Sequence, residues 1–212
     1  MKSSNRVLFA TSGVLAGILL ALLCRPVPLL LVFGAGPVIV GAVVLTLLFL
    51  KVRIPGWRAL LAVLLSAPAY FVAFLAFAAT ESYIQQHGGH VSSLPSDMKF
   101  DVVLGMLAAV IVASIELECL ALLLSRKWST RAALGLLVGG VAAVAAAYVA
   151  NAVYVRVAGP KEGFIETLVY FGPLFVVGGA FTAAIVGEQV LRAAYPKSEF
   201  GYTKSSADTQ QQ

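Results

Sequence analysis

Ser114-Ile115-Glu116-Leu117-Glu118-Cys119 places two carboxylates inside an apolar run that extends from Val102 to Leu124. A run of that length crosses a bilayer, and an ionisable side chain near its middle costs about 2.5–3.5 kcal/mol on insertion scales. Such a group needs a partner, water or a proton. Glu116, Glu118 and Ser114 therefore form the candidate substrate or proton site. Burial disfavours the charged form of a carboxylate, so a glutamate held at this depth can take up and release a proton.

The spacing decides how the pair can act. Residues three or four apart share a helix face, whereas positions 116 and 118 differ by about 200°. Glu116 shares its face with Gly105, Ala109, Ala113 and Cys119, small side chains that would admit a neighbouring backbone. Glu118 shares a more polar face with Ser114, Ala121 and Ser125. The two carboxylates cannot form a dyad within one helix. No Lys, Arg or His lies deep in the other apolar runs, which leaves Tyr, Ser, Thr, Asn and water as partners.

Other polar residues in the apolar runs read more simply. Glu188 and Arg192 are four apart near a helix end, an ion-pair spacing that also suits the inner mouth of a pathway. Gly135, Gly139, Ala143, Ala147 and Asn151 recur every four residues. Gly179, Ala183 and Gly187 repeat that interval, and Gly13 and Gly17 match it. Small-xxx-small stripes let helices approach closely in lipid, where dispersion and interhelical hydrogen bonds drive association. Asn151 is expected to hydrogen-bond across such a seam.

Absences restrict the chemistry. No apolar run contains His, which excludes an intramembrane H-E-x-x-H zinc site and a buried Ser–His pair. No run interior contains Asp, and no G-x-x-x-x-G-K-[ST] loop occurs. His87-Gly88-Gly89-His90 has metal-like spacing but lies in a Gly-rich polar loop, whereas zinc asks for three or four rigid ligands. No catalytic residue, metal or cofactor is expected. Cys24 and Cys119 fall at different depths, too far apart for a disulfide, and read as small apolar residues.

The elements that must position these residues follow from composition. Hydrophobic residues make up 60% of the chain and charged ones 12%, with a mean hydropathy of +0.93. Soluble domains run near 25% charged. The expected fold class is an all-α integral membrane protein, a bundle of about six transmembrane helices in one domain over residues 1–195. The spans fall near 7–24, 29–50, 59–79, 102–124, 132–155 and 167–191. Gly34-Ala35-Gly36-Pro37 predicts a kink in the second span, and Thr80–Asp101 the longest polar loop. Ser129-Thr130 offers an N-cap to the fifth span. Residues 196–212 read as a disordered cytoplasmic tail. Lys2 and Arg6 before an apolar run resemble a signal peptide, but Leu23 before Cys24 is a poor cleavage site, so an uncleaved first helix is expected.

Charge sets the orientation. With a cytoplasmic N-terminus, the inner segments receive Lys2, Arg6, Lys51, Arg53, Arg58, Arg126, Lys127, Arg131, Arg192, Lys197 and Lys204, 11 of 15 basic residues. Arg25, Lys99, Arg156 and Lys161 are the 4 outside. Both termini are thus expected in the cytoplasm, in a plasma (inner) membrane. Three spans on each side of the outer loop would permit an inverted repeat, although Pro68 and Pro173 lie at unequal depths and no motif repeats. The functional expectation is a small permease-like or carrier-like protein with an intramembrane carboxylate. The alternative is a non-transporting membrane subunit, scaffold or assembly factor. The expected partners are the lipid bilayer and a small-molecule or ion substrate, or else a homo-oligomer or larger membrane complex. The net charge of +5 lies at helix ends and does not point to nucleic acid.

Overall fold

The computed structural model describes residues 3–23, 34–87, 100–158 and 164–195. Among these the chain is all-helical: α1 (Ser3–Leu23), α2 (Ala35–Phe49), α3 (Gly56–His87), α4 (Phe100–Ser125), α5 (Thr130–Ala158) and α6 (Phe164–Ala194). Five of the six are long and apolar enough to cross a membrane. Leu15, Leu45, Leu64, Ile111 and Val138 all point outward from the bundle. A surface of exposed aliphatic side chains on long apolar helices belongs in lipid, so the protein is membrane-embedded.

The second expected span behaves differently. Helix α2 has 15 residues, about 22 Å at 1.5 Å rise, short of a core about 30 Å thick. The expected kink at Pro37 is not found. Pro37 sits in the first turn of α2, where its missing N–H would have no intrahelical partner in any case. At its other end α2 stops in a Schellman turn. Lys51 adopts φ 57°, its N–H donates to the Leu48 carbonyl (2.9 Å), and the Val52 N–H donates to that of Leu47 (3.0 Å). Val52 and Leu47 are both buried in the same cluster, which locks the turn.

Helix α3 outruns its expected span by eight residues, through Thr80 to His87. The polar residues there were expected in a loop, yet polarity does not end a helix. Gly88-Gly89 is the first breaker after Pro68. Ser129 caps α5 as expected, its Oγ accepting from the Ala132 N–H at 3.2 Å. Cys24, His90 and the tail from Pro196 lie outside the described residues, as do residues 159–163 of the 156–166 loop.

Helices α3 and α4 form an antiparallel hairpin, and α6 packs on α1, α5, α2 and α4. Phe9, Leu47, Leu117, Leu124, Val186 and Val190 build the main core at the end that holds the α2–α3 and α4–α5 turns. Arg6, Arg192 and the Lys127 turn share that end.

The glycine stripes meet as close crossings. A Cβ on Gly13 would lie 2.1 Å from the Gly179 carbonyl oxygen, and one on Gly17 would lie 2.4 Å from that of Phe175. Gly187 gives way to the Phe9 ring and Gly139 to Phe181, while Gly135 packs on Ile185. Ala143, Ala147 and Ala183 are fully buried. Asn151 is 1% exposed, but neither of its side-chain polar atoms finds a partner among the described residues, so the expected bond across the seam is not made.

Candidate ligand cavity and the carboxylates beside it

With α1 and α2 on one flank of α6 and α5 on the other, the α3–α4 hairpin closes only part of the remaining space. A cavity of about 400 Å³ is left among α2, α3, α4, α5 and α6. Its walls combine aromatic (Phe74, Phe77, Phe171, Phe175) and small (Ala109, Ala113) residues with larger aliphatic ones. Tyr70, Ser114 and Thr182 are the polar residues among those lining it. Protein interiors hold few voids larger than a water molecule, whereas small-molecule pockets begin near 300 Å³. Ala109 and Ala113 of the small-residue stripe on α4 form one wall, while Gly105 packs against Phe77. The apolar lining suits a hydrophobic ligand.

Ser114 is the one member of the candidate triad that reaches the cavity wall, and its Oγ donates to the Val110 carbonyl at 2.7 Å. Such i−4 bonding satisfies a hydroxyl within its own helix and leaves its oxygen free to accept. Glu116 does not line the cavity. It is half-buried, with Oε2 buried and unpartnered, and it stands close enough to Tyr70 on α3 for its charge to act on the phenol. Tyr70 lines the cavity, and Glu116 lies outside it.

Glu118 lies on the opposite face and is fully buried. Its Oε1 accepts from the Ser129 N–H (2.8 Å) and from Nε2 of Gln189 on α6 (2.9 Å). Nε2 of Gln189 also donates to the Lys127 carbonyl at 2.8 Å. The turn from α4 to α5 enables this contact. Arg126 adopts φ 59°, and the Ser125 hydroxyl donates to the Lys127 carbonyl (3.0 Å) while accepting from its N–H (3.2 Å). One carboxylate thus ties together α4, the N-terminus of α5 and α6. An acceptor near a helix N-terminus also meets the positive end of its dipole.

Glu188 pairs with Arg192 as the spacing predicted, and also with Arg6 of α1 at 2.6 Å. Glu188 thus takes one cation from its own helix and one from α1, so the cluster also bridges two helices. Cys119 is a free, exposed thiol. Among the described residues no group of three or more His, Cys, Asp or Glu could hold a metal ion.

Gln189, Tyr70 and Arg6 are the participants that sequence reasoning missed. Gln189 had a readable signal, a carboxamide within the apolar stretch Ala183–Leu191. Its pairing with Glu118, 71 positions away, had none. No protein family, curated protein or solved structure is found to match this chain.

Proposed function

We propose that this protein is a carrier-like membrane protein whose ligand is a hydrophobic small molecule seated in the cavity between the α3–α4 hairpin and the α5–α6 pair. The observation that carries this reading is the cavity itself, about 400 Å³ with aromatic and aliphatic walls. Dispersion contacts with those walls hold the ligand, and Tyr70, Ser114 and Thr182 orient its polar end. Glu116 acts on the same end through Tyr70, which gives the carrier a carboxylate able to couple ligand and proton.

The binding test uses N-phenyl-1-naphthylamine, an apolar fluorophore, with the protein in lipid nanodiscs. Wild type should give saturable enhancement above empty nanodiscs. Ala113→Phe places a ring in the space and should weaken binding at least tenfold while the helical circular dichroism is kept. No saturable binding by wild type, or equal binding by both proteins, would retire the carrier reading in favour of the non-transporting membrane subunit.

The proposed topology is six spans with both termini cytoplasmic in the plasma membrane, supported by the clustering of Arg6, the Lys127 turn and Arg192 at one end. Reporter fusions after Arg53, after Lys127 and in the tail should read cytoplasmic. Fusions near His90 and Lys161 should read external. A cytoplasmic His90 reverses the orientation.

A further inference from the structure

Half of the Glu118 carboxyl group has no partner. Oε1 takes two hydrogen bonds, while Oε2 is buried with none. Oε1 of Gln189 is also buried and unpartnered. Both hydrogens of the Gln189 amide are already committed, one to Glu118 and one to the Lys127 carbonyl. The carboxyl and carboxamide groups are thus joined by one hydrogen bond and are left with one orphan oxygen each.

Among the described residues no full positive charge pairs with Glu118; what it meets is the partial positive end of α5. Arg126, Lys127 and Arg131 on the α4–α5 turn are exposed, and Arg6 and Arg192 both close on Glu188. Arg58 of α3 lies over the Trp57 ring, at 5.1 Å from its centroid. Lys51 and Arg53 of the α2–α3 turn are exposed, and Glu116 leaves α4 on its opposite face. The ion pairs of Arg6 and Arg192 both belong to Glu188. A lone buried carboxylate is strongly disfavoured, and a buried acceptor without a donor adds to the cost.

A single hydrogen answers both deficits. On Oε2 it would neutralise the group and offer a donor to Oε1 of Gln189, the other orphan of the same pair. A metal cation fits less well, since hard cations take six or more oxygens and two are free here. We propose that Glu118 and Gln189 form a proton-binding site, in which Oε2 of Glu118 carries a proton and donates it to Oε1 of Gln189. The proton comes from water at the α4–α5 end and returns there. While bound, it holds the Lys127–Ser129 turn against α6, one helical turn below Ser114 and the cavity floor. The site stands whether or not the cavity carries a ligand.

The test is infrared difference spectroscopy of the full chain in lipid nanodiscs at neutral pH. Wild type should show the carbonyl stretch of a protonated carboxyl group, which vanishes in Glu118→Gln and persists in Glu116→Gln. Gln189→Met removes the acceptor and should move the same band to higher frequency. Thermal melting gives a second readout. Wild type should lose stability as alkali strips the proton, whereas Glu118→Gln carries a permanent N–H donor and should not. A wild-type spectrum whose protonated band survives Glu118→Gln, or lacks that band, overturns the proposal. So does a band that ignores Gln189→Met, since the proton is then not shared. Exchange of sodium for choline at constant ionic strength should leave wild-type melting unchanged. Sodium-dependent stabilisation that Glu118→Gln abolishes would instead assign the site to a cation.

Discussion

Gly13→Leu should leave little folded protein in the membrane, with a loss of about 3 kcal/mol or more. The reason is what stands opposite. A Cβ at position 13 would fall 2.1 Å from the Gly179 carbonyl oxygen and 2.6 Å from its carbon, and backbone cannot rotate aside as a side chain can. The α1–α6 crossing would have to open, which would pull Arg6 away from Glu188 at its end. Gly139→Leu meets the Phe181 side chain at its Cβ, 2.6 Å away, an atom that moves only with the α6 backbone, and should also destabilise the bundle. Val138→Leu, which faces outward at 64% exposure, should be neutral. The measurement is the yield of monodisperse protein and its melting temperature in mild detergent. Equal tolerance of Gly13→Leu and Val138→Leu would remove the close-crossing argument.

Glu118→Ala should destabilise the fold by about 3 kcal/mol, whereas Glu116→Gln should change it by less than about 1 kcal/mol. Two positions along one helix separate a residue that the fold depends on from one it tolerates. Removing Glu118 strands the Ser129 N–H and one hydrogen of Gln189, and opens a void beside Leu117 and Ala121 in the packed core. Glu116 has no such dependants, and its exchange for an amide keeps shape while removing titration. If Glu116 couples a proton to the ligand, Glu116→Gln should abolish coupled flux in proteoliposomes with little loss of melting temperature. Flux that falls only in proportion to folded protein would make Glu116 structural.

The candidate site was half legible. Helical periodicity alone separated Glu116 from Glu118, and the structure keeps them on opposite sides of α4. The same periodicity grouped Glu118 with Ser114, Ala121 and Ser125, all of them buried. It could not say which face meets α6, so Gln189 stayed invisible as a partner. The apolar runs offer hydroxyls, asparagine and water as partners for these carboxylates. The structure supplied a carboxamide and a backbone N–H instead. Glu188 and Arg192 show the same limit: spacing supplied the intrahelical pair, while Arg6 joins from 182 positions away.

By itself the sequence determined the class and the helices. Long apolar runs can satisfy their backbone groups in lipid only as helices, so composition and length suffice for that conclusion. The stops were legible where Gly or Pro breaks the backbone, and misread at Thr80–His87, where only polarity changes. The tertiary structure decided what the helices enclose. Small residues on α1, α4, α5 and α6 were legible as close-packing stripes, and at Gly13 and Gly179 they do pack. At Ala109, Ala113 and Gly178 the same kind of residue lines an open cavity. The difference lies in whether a facing helix comes near enough to fill the space. That distance is set by crossings elsewhere in the bundle, such as Gly13 on Gly179, and by the Glu118–Gln189 contact that anchors α4 to α6.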